Sequence, residues 1–99
     1  MTTIIAVVED DPDQRENYSD VLTAHGYEVR TYPDRPTAEA AFNLELPDLA
    51  MLDIMLGEDM NGGFDLCMQL RNMSSTLPII FLTARGTEFG FYFIYIICR

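Results

Sequence analysis

The sequence predicts an α/β protein built on a doubly wound parallel sheet. Three short runs, at residues 3–8, 48–56 and 79–84, are almost continuously apolar, as strands buried on both faces are. Segments with helical spacing of apolar residues stand between the predicted strands, and strands that alternate with helices form parallel sheets through right-handed crossovers. In such a sheet the carboxyl ends of the strands meet at one rim, where ligands bind.

Local signals place each element in order. After the first strand, Asp11 and Pro12 predict the N-cap and first turn of a helix that ends near Gly26. Apolar and ring side chains recur in it at helical spacing, at Tyr18, Val21, Leu22 and His25. An alternating strand at 27–32 and a turn at 33–36 follow.

The second half of the chain repeats this alternation. A short helix at 37–46 should turn Ala38, Ala41 and Phe42 inward. The apolar strand at 48–56, interrupted by one charge at Asp53, leads to a loop at 57–63. A helix at 64–73 then precedes the last apolar strand, and its predicted inner stripe is Phe64, Cys67, Leu70 and Met73.

Composition excludes several classes of protein. The chain has 99 residues, enough for one small domain, and 48% of them are hydrophobic, which is typical of a globular protein. A net charge of −10 opposes direct binding to nucleic acid or to an anionic membrane surface. The N-terminus has no signal-peptide pattern, and the longest apolar run, 91–98, is too short to cross a bilayer. We therefore expect a cytoplasmic location.

Acidic residues cluster at the predicted strand ends. Glu9 and Asp10 end the first strand, Asp53 interrupts the third and Thr83 ends the fourth. Carboxylates brought to one rim repel each other, and a hard divalent cation such as Mg²⁺ removes that repulsion. One carboxylate can also act as a nucleophile, as in aspartyl-phosphate chemistry, with a hydroxyl such as that of Thr83 bonding a phosphoryl oxygen.

Three stretches carry a resemblance to a known family: "VVEDDPDQR", "PDLAMLDIMLGEDMNG" and "LPIIFLTAR". Over residues 3–85 the chain resembles the receiver domain of bacterial two-component response regulators. The resemblance implies a flavodoxin-like fold with strand order 2-1-3-4-5. It also implies a signalling domain rather than an enzyme, whose only chemistry is phosphoryl transfer to itself and hydrolysis.

The resemblance also implies site roles. Asp53 would accept a phosphoryl group from a histidine of a sensor kinase, and Thr83 would be the switch hydroxyl. Asp10 and Asp53 would ligate Mg²⁺ together with the backbone carbonyl of Met55, with Glu9 nearby through water.

The chain departs from the family pattern after the fourth strand. The family has a lysine at the end of its fifth strand, whereas all six basic residues here are arginines. The stretch after Arg85 does not match the expected fourth helix, fifth strand and fifth helix. We therefore predict an incomplete receiver domain at 1–88 with order 2-1-3-4, an atypical tail at 89–99, and impaired switching and output. A milder departure is Gly57, where the family usually has a proline.

The tail has very high β propensity, and three interpretations of it stay open. It is a frameshift or cloning scar, an antiparallel edge strand beside the fourth strand, or a strand that pairs with another copy of the chain. A strand this apolar predicts a dimer or larger assembly.

Two other functions are alternatives to the receiver. In one, the chain is an assembly module whose tail drives oligomerisation and whose acidic rim is vestigial. In the other, it is a phosphatase of the aspartate-nucleophile type, which requires a second acid two residues after the nucleophile. Met55 occupies that position, so the sequence disfavours the phosphatase.

Overall fold

The computed structural model describes residues 2–57, 60–87 and 90–97; for 83–87 and 90–97 it describes the backbone alone. Eight elements follow one another along the chain: β1 (Ile4–Val8), α1 (Pro12–Ala24), β2 (Glu28–Tyr32), α2 (Arg35–Leu44), β3 (Leu49–Asp53), α3 (Gly62–Met73), β4 (Ile79–Thr87) and β5 (Gly90–Ile97). Within these described residues, no helix combines the length and the apolar character that crossing a membrane requires.

The elements form one five-stranded sheet in the order β2-β1-β3-β4-β5. The first four strands are mutually parallel, which confirms the predicted α/β class and the order 2-1-3-4. The chain passes from β1 to β2 in one direction and then to β3 and β4 in the other. With right-handed crossovers, α1 therefore lies on one face of the sheet and α2 and α3 lie on the opposite face.

β5 runs antiparallel to β4 and takes the edge of the sheet, with Thr87 paired to Gly90 and Ile80 to Ile97. This is the edge-strand arrangement, one of the three that the sequence left open. The predicted boundary between domain and tail at residue 88 stays a prediction, because 88, 89, 98 and 99 lie outside the described residues.

The main core lies between the sheet and the pair α2 and α3. Its strand residues come from alternate positions of β1, β3 and β4, and its helical members include Ala38, Phe42, Cys67 and Leu70, as predicted. Leu66 also belongs to this core and was missed. Phe64 and Met73 were wrongly predicted to be inward, since each is 43% exposed. The ring of Phe64 instead rests at the border of the core against Phe81, with a centroid distance of 4.9 Å.

Several boundaries differ from the sequence prediction, and β4 in particular runs to Thr87 instead of ending at residue 84. α2 begins at Arg35, within the predicted turn, because the side chain of Asp34 caps the helix by accepting the Thr37 N–H. β3 ends at Asp53, so this acid terminates the strand instead of interrupting it. α3 begins two residues early, at Gly62.

α1 is the least buried of the three helices. Asp11 caps its start by accepting the Asp13 N–H, as expected, yet none of its thirteen residues is buried. Val21, predicted to face inward, is 58% exposed. His25 is the C-cap residue, and its ring Nδ1 lies 2.8 Å from the carbonyl oxygen of Val21.

Candidate functional site

The strand register brings the predicted acids to one place. β1 and β3 are adjacent and parallel, with Val8 opposite Leu52 at their carboxyl ends. Glu9 and Asp53 are the next residue in each strand direction, and Asp10 follows Glu9. One carboxylate oxygen from each of Glu9, Asp10 and Asp53 lies within 4.8 Å of the other two. This convergence places the three acids within reach of one shared cation.

Glu9 is the buried member of the cluster, with only 2% of its surface exposed. Burial, followed by the charge of Asp53, raises the pKa of Glu9 to about 8. At neutral pH without a cation, Glu9 therefore keeps its proton and donates a hydrogen bond to Asp53. Its Oε1 also accepts the Asp11 N–H at 3.2 Å. The sequence did not predict this contact with Asp53, and the expected place of Glu9 near Mg²⁺ through water stays a prediction.

Asp53 lies half-buried at the end of β3. Burial and the nearby charge of Asp10 raise the pKa of its carboxyl group. Hydrogen bonds from Glu9 and from the backbone N–H groups of Met55 and Ile54 act in the opposite direction. These donors stabilise the ionised form, which is the form a nucleophile or metal ligand must take.

Asp10 is the exposed member of the cluster. Its Oδ2 accepts the backbone N–H of Gly57 at 3.1 Å, across the gap between the ends of β1 and β3. Gly57 has φ +66°, a left-handed conformation that favours glycine. From the sequence, Gly57 was only a departure from the family pattern, and this contact was not predicted.

Arg15 supports the same strand end and was not predicted. Its guanidinium donates to the carbonyl oxygens of Glu9 at 2.9 Å and of Asp10 at 3.5 Å. It thereby fixes the main chain that carries two of the three acids. The available signal was position: Arg15 is the first basic residue of the chain and lies five residues after Asp10, in the first turn of the predicted helix.

Gly63 is a second site residue that was not predicted from the sequence. A Cβ at this position would lie 2.1 Å from the carbonyl oxygen of Asp53, and its N–H donates to the Ile54 carbonyl at 2.9 Å. Only glycine lets the start of α3 approach the end of β3 this closely. α3 therefore braces the segment that carries Asp53.

Two predicted site residues keep their roles as predictions. In the sheet register Leu82 lies opposite Asp53, so the backbone of Thr83 stands one residue beyond the acid. The hydroxyl of Thr83 lies outside the described side chains. Met55 contacts Asp53 through its amide N–H. The predicted role of the Met55 carbonyl as a metal ligand stays a prediction.

The cluster fits a divalent cation on chemical grounds. It offers three carboxyl groups with oxygens within 4.8 Å of one another, and burial and mutual repulsion raise the pKa of two of them. A cation would relieve that repulsion, and carboxylate oxygens are the ligands that Mg²⁺ prefers.

Comparisons with known proteins agree with this geometry. The response regulator receiver domain family matches residues 5–92. The sensory transduction protein RegX3 of Mycobacterium tuberculosis is 36% identical over 86 residues, a match that covers 87% of this chain and 37% of RegX3. The chain thus spans little more than a third of the curated relatives that it matches.

Solved structures give the same picture. The non-phosphorylated HemR receiver domain of Leptospira biflexa superposes with a TM-score of 0.76 at 30% identity, covering 87% of this chain and 68% of that one. The chemotaxis response regulator CheY4 of Vibrio cholerae gives 0.77 at 25% identity, covering 88% and 72%. The response regulator TrrA of Thermotoga maritima, in complex with Mg²⁺-BeF, gives 0.77 at 30% identity, covering 86% and 72%.

Proposed function

Because this chain belongs to the response regulator receiver domain family, we propose that it is a phosphoacceptor in a two-component phosphorelay. Asp53 takes a phosphoryl group from a phosphohistidine of a sensor histidine kinase. The observation that carries this proposal is the convergence of the Glu9, Asp10 and Asp53 carboxylates at one strand rim. We place the activity in the cytoplasm, where such kinases hold their phosphohistidine.

The transfer is a displacement at phosphorus. A carboxylate oxygen of Asp53 forms a bond to phosphorus while the phosphorus–nitrogen bond of the donor breaks, and the imidazole nitrogen keeps the electron pair. Asp53 must be ionised to attack. The hydrogen bonds from Glu9 and from the Met55 and Ile54 amides support that ionised form.

Mg²⁺ is the cofactor that suits this site. Asp10 and Asp53 would hold it, with Glu9 and the Met55 carbonyl as further oxygen donors. When bound, the ion neutralises charge on the phosphoryl oxygens. The complex of the similar protein TrrA with Mg²⁺-BeF supports the assignment.

Switching is the step that we expect to be impaired. The sequence contains no lysine, so the charge of a phosphoryl group on Asp53 lacks the ammonium partner that the resemblance implies. Thr83 is the proposed switch hydroxyl. We therefore expect Asp53 to be phosphorylated only weakly, and we expect the conformational switch that follows phosphorylation to be impaired.

A second candidate function is assembly, with the acidic rim vestigial. The observation that favours it is β5, an eight-residue strand at the edge of the sheet, with no charged residue between Gly90 and Ile97. Such an edge offers its free backbone groups to a second copy. Sedimentation velocity across a concentration series tests it: a dimer or larger species supports assembly, and a monomer at high concentration contradicts it.

Labelling by a small phosphodonor tests the phosphoacceptor proposal. With Mg²⁺ and acetyl phosphate, the chain should gain one phosphoryl group by intact mass, and hydroxylamine should remove it. Asp53→Asn should abolish the gain, and chelation of Mg²⁺ should prevent it. Asp20→Asn, at an exposed acid in α1, is the matched control and should label normally. Continued labelling of Asp53→Asn would refute the assignment.

A further inference from the structure

Cys67 is bonded to a second sulfur. It lies in the middle of α3, is only 2% exposed and belongs to the main core cluster. Its sulfur takes part in a disulfide bond, so no cysteine in the described part of the chain is free. The sequence contains one other cysteine, Cys98, which lies outside the described residues. Within a single chain, Cys98 is therefore the one partner that the composition allows.

The strand register brings the end of β5 toward the core that contains Cys67. β5 is antiparallel to β4, and its last residue, Ile97, pairs with Ile80 near the start of β4. The neighbouring residue of β4, Ile79, is fully buried in the same core cluster as Cys67. Directly paired residues of an antiparallel ladder lie on the same face of the sheet. If the register continues by one position, residue 98 pairs with Ile79 on the face that α3 covers.

β5 is a strand that needs an anchor. It lies at the edge of the sheet beside one neighbouring strand, β4, and its sequence from Gly90 to Ile97 has no charged residue. If it leaves β4, it exposes an apolar segment together with the edge of β4, and both can pair with another copy of the chain. A covalent bond that closes the loop between positions 67 and 98 opposes this release.

We propose that Cys67 and Cys98 form a reversible disulfide, which holds β5 on its own sheet when oxidised and lets β5 leave when reduced. In the cytoplasm, where we place the chain, a disulfide is usually transient or redox-sensing. The switch goes beyond the phosphoacceptor function, because it uses none of the residues of the acidic cluster. Its consequence for assembly rests on the second candidate function: the reduced chain exchanges β5 with another copy.

Reduction proceeds by thiol–disulfide exchange. A thiolate of a low-molecular-weight thiol such as glutathione attacks the sulfur of Cys98, because the sulfur of Cys67 is buried. The protein disulfide breaks, and Cys67 leaves as a thiolate that takes up a proton. A second glutathione thiolate attacks the mixed disulfide, which releases Cys98 and forms glutathione disulfide. Two electrons thus pass from two thiols to the protein, and glutathione disulfide reverses the reaction.

Alkylation followed by intact mass measurement tests the pairing. The full chain is equilibrated with glutathione disulfide, denatured and treated with iodoacetamide. We expect a monomer that gains no carbamidomethyl group, whereas a sample first reduced with dithiothreitol should gain one group on each of its two cysteines. A free thiol, a glutathione adduct or a disulfide-linked dimer as the main oxidised species would overturn the proposal.

Hydrogen exchange tests the release of β5. Reduction should accelerate amide exchange at 90–97 at least about 10-fold more than exchange in β1, which the disulfide does not touch. Cys98→Ser is the matched control, because it lacks the bond: exchange at 90–97 should be fast in this variant with or without reductant. Equal acceleration in β5 and β1, or a response of Cys98→Ser to reductant, would rule out the switch. If Cys98→Ser does not fold, reduction of the unaltered chain carries the comparison.

Two further measurements separate this proposal from the proposed functions. Asp53→Asn should keep the full redox response, so a failure of phosphoryl labelling leaves the switch intact, and loss of the response in this variant would contradict it. In sedimentation velocity the reduced chain should associate more than the oxidised chain. Equal association of the two forms would contradict the exchange of β5 between copies.

Discussion

The two faces of the sheet are built differently. On the face covered by α2 and α3, strand residues at alternate positions are almost fully buried. The face covered by α1 is mixed: Ile5, Val7 and Leu82 are buried there, whereas Met51, Asp53 and Ile80 are only partly buried. The helix itself buries none of its own residues. Within β3 the two environments alternate residue by residue, because neighbouring side chains of a strand point to opposite faces.

Along β3, residues that stabilise the core therefore alternate with residues that face the candidate site. Leu52 belongs to the closed core, and the next residue, Asp53, belongs to the site. A carboxylate in the closed core would lose its hydration with no compensation. On the more open face it keeps access to solvent, to a cation and to a phosphodonor.

The largest effect should come from deleting a core side chain. Leu52→Ala should lower the free energy of unfolding by about 3 kcal/mol, through lost burial and a cavity. Met51→Ala, its neighbour on the open face, should cost only about 1 kcal/mol. Urea unfolding of both variants measures the contrast. Equal losses would show that the two faces are equally packed.

The close approach of α3 to β3 gives the next effect. Gly63→Ala should lower stability by about 2 kcal/mol, because its Cβ collides with the Asp53 carbonyl and the backbone must move. It should also weaken Mg²⁺ binding. Gly26→Ala, where the Cβ meets nothing, should cost about 1 kcal/mol through its left-handed φ and leave Mg²⁺ affinity intact. Thermal unfolding measures the stability of both variants, and titration calorimetry measures their Mg²⁺ affinity. Unchanged Mg²⁺ affinity in Gly63→Ala would contradict the claim that α3 supports the segment carrying Asp53.

Glu9 makes stability depend on pH in the absence of metal. The folded protein raises the pKa of Glu9 to about 8 from an ordinary value of 4.5, so between these values the unfolded chain releases a proton that the folded one keeps. Stability should be full below pH 4.5 and fall as pH rises toward 8. Asp53 contributes with the same sign, because its pKa is also raised.

Glu9→Gln isolates this contribution, because glutamine does not titrate. Between pH 5 and pH 8 the stability of this variant should fall less than that of the unaltered chain. Chemical unfolding with chelator present, at a series of pH values, provides the measurement. Parallel curves for the two proteins would contradict a retained proton on Glu9.

The smallest effect concerns Arg15. Arg15→Gln should cost about 1 kcal/mol and weaken Mg²⁺ binding a few-fold, because the carbonyls of Glu9 and Asp10 lose their donor. Arg30→Gln removes exposed ion pairs to Glu28 and Glu45 and should leave both stability and Mg²⁺ affinity almost unchanged, because solvent screens such pairs. Equal affinities for Mg²⁺ in both variants would show that Arg15 does not support the candidate site.

The features predicted correctly from the sequence are those that depend on the alternation of strands with helices and on the residues at the strand ends. The fold, the strand order and the meeting of Glu9, Asp10 and Asp53 follow from apolar runs that end in acids and from the recognised motifs. The sequence did not reveal which helix residues lie at the edge of the core. Phe64 and Val21 have the right spacing, but their burial depends on neighbouring elements, which periodicity does not record.

The backbone geometry of the site could not be predicted from the sequence either. Gly57 and Gly63 looked like ordinary loop glycines, whereas one supplies an amide to Asp10 and the other lets α3 contact β3. The proton on Glu9 arises from burial together with the charge of Asp53, and neither can be read from residue order.

The central claim is that acids from two strand ends bind one Mg²⁺, and titration calorimetry of single variants tests it most directly. The account predicts one saturable site in the unaltered chain and a loss of affinity of at least about 10-fold in both Asp10→Asn and Asp53→Asn. Asp20→Asn should bind as the unaltered chain does. Equal binding by all four proteins, or no saturable binding in the unaltered chain, would contradict the claim.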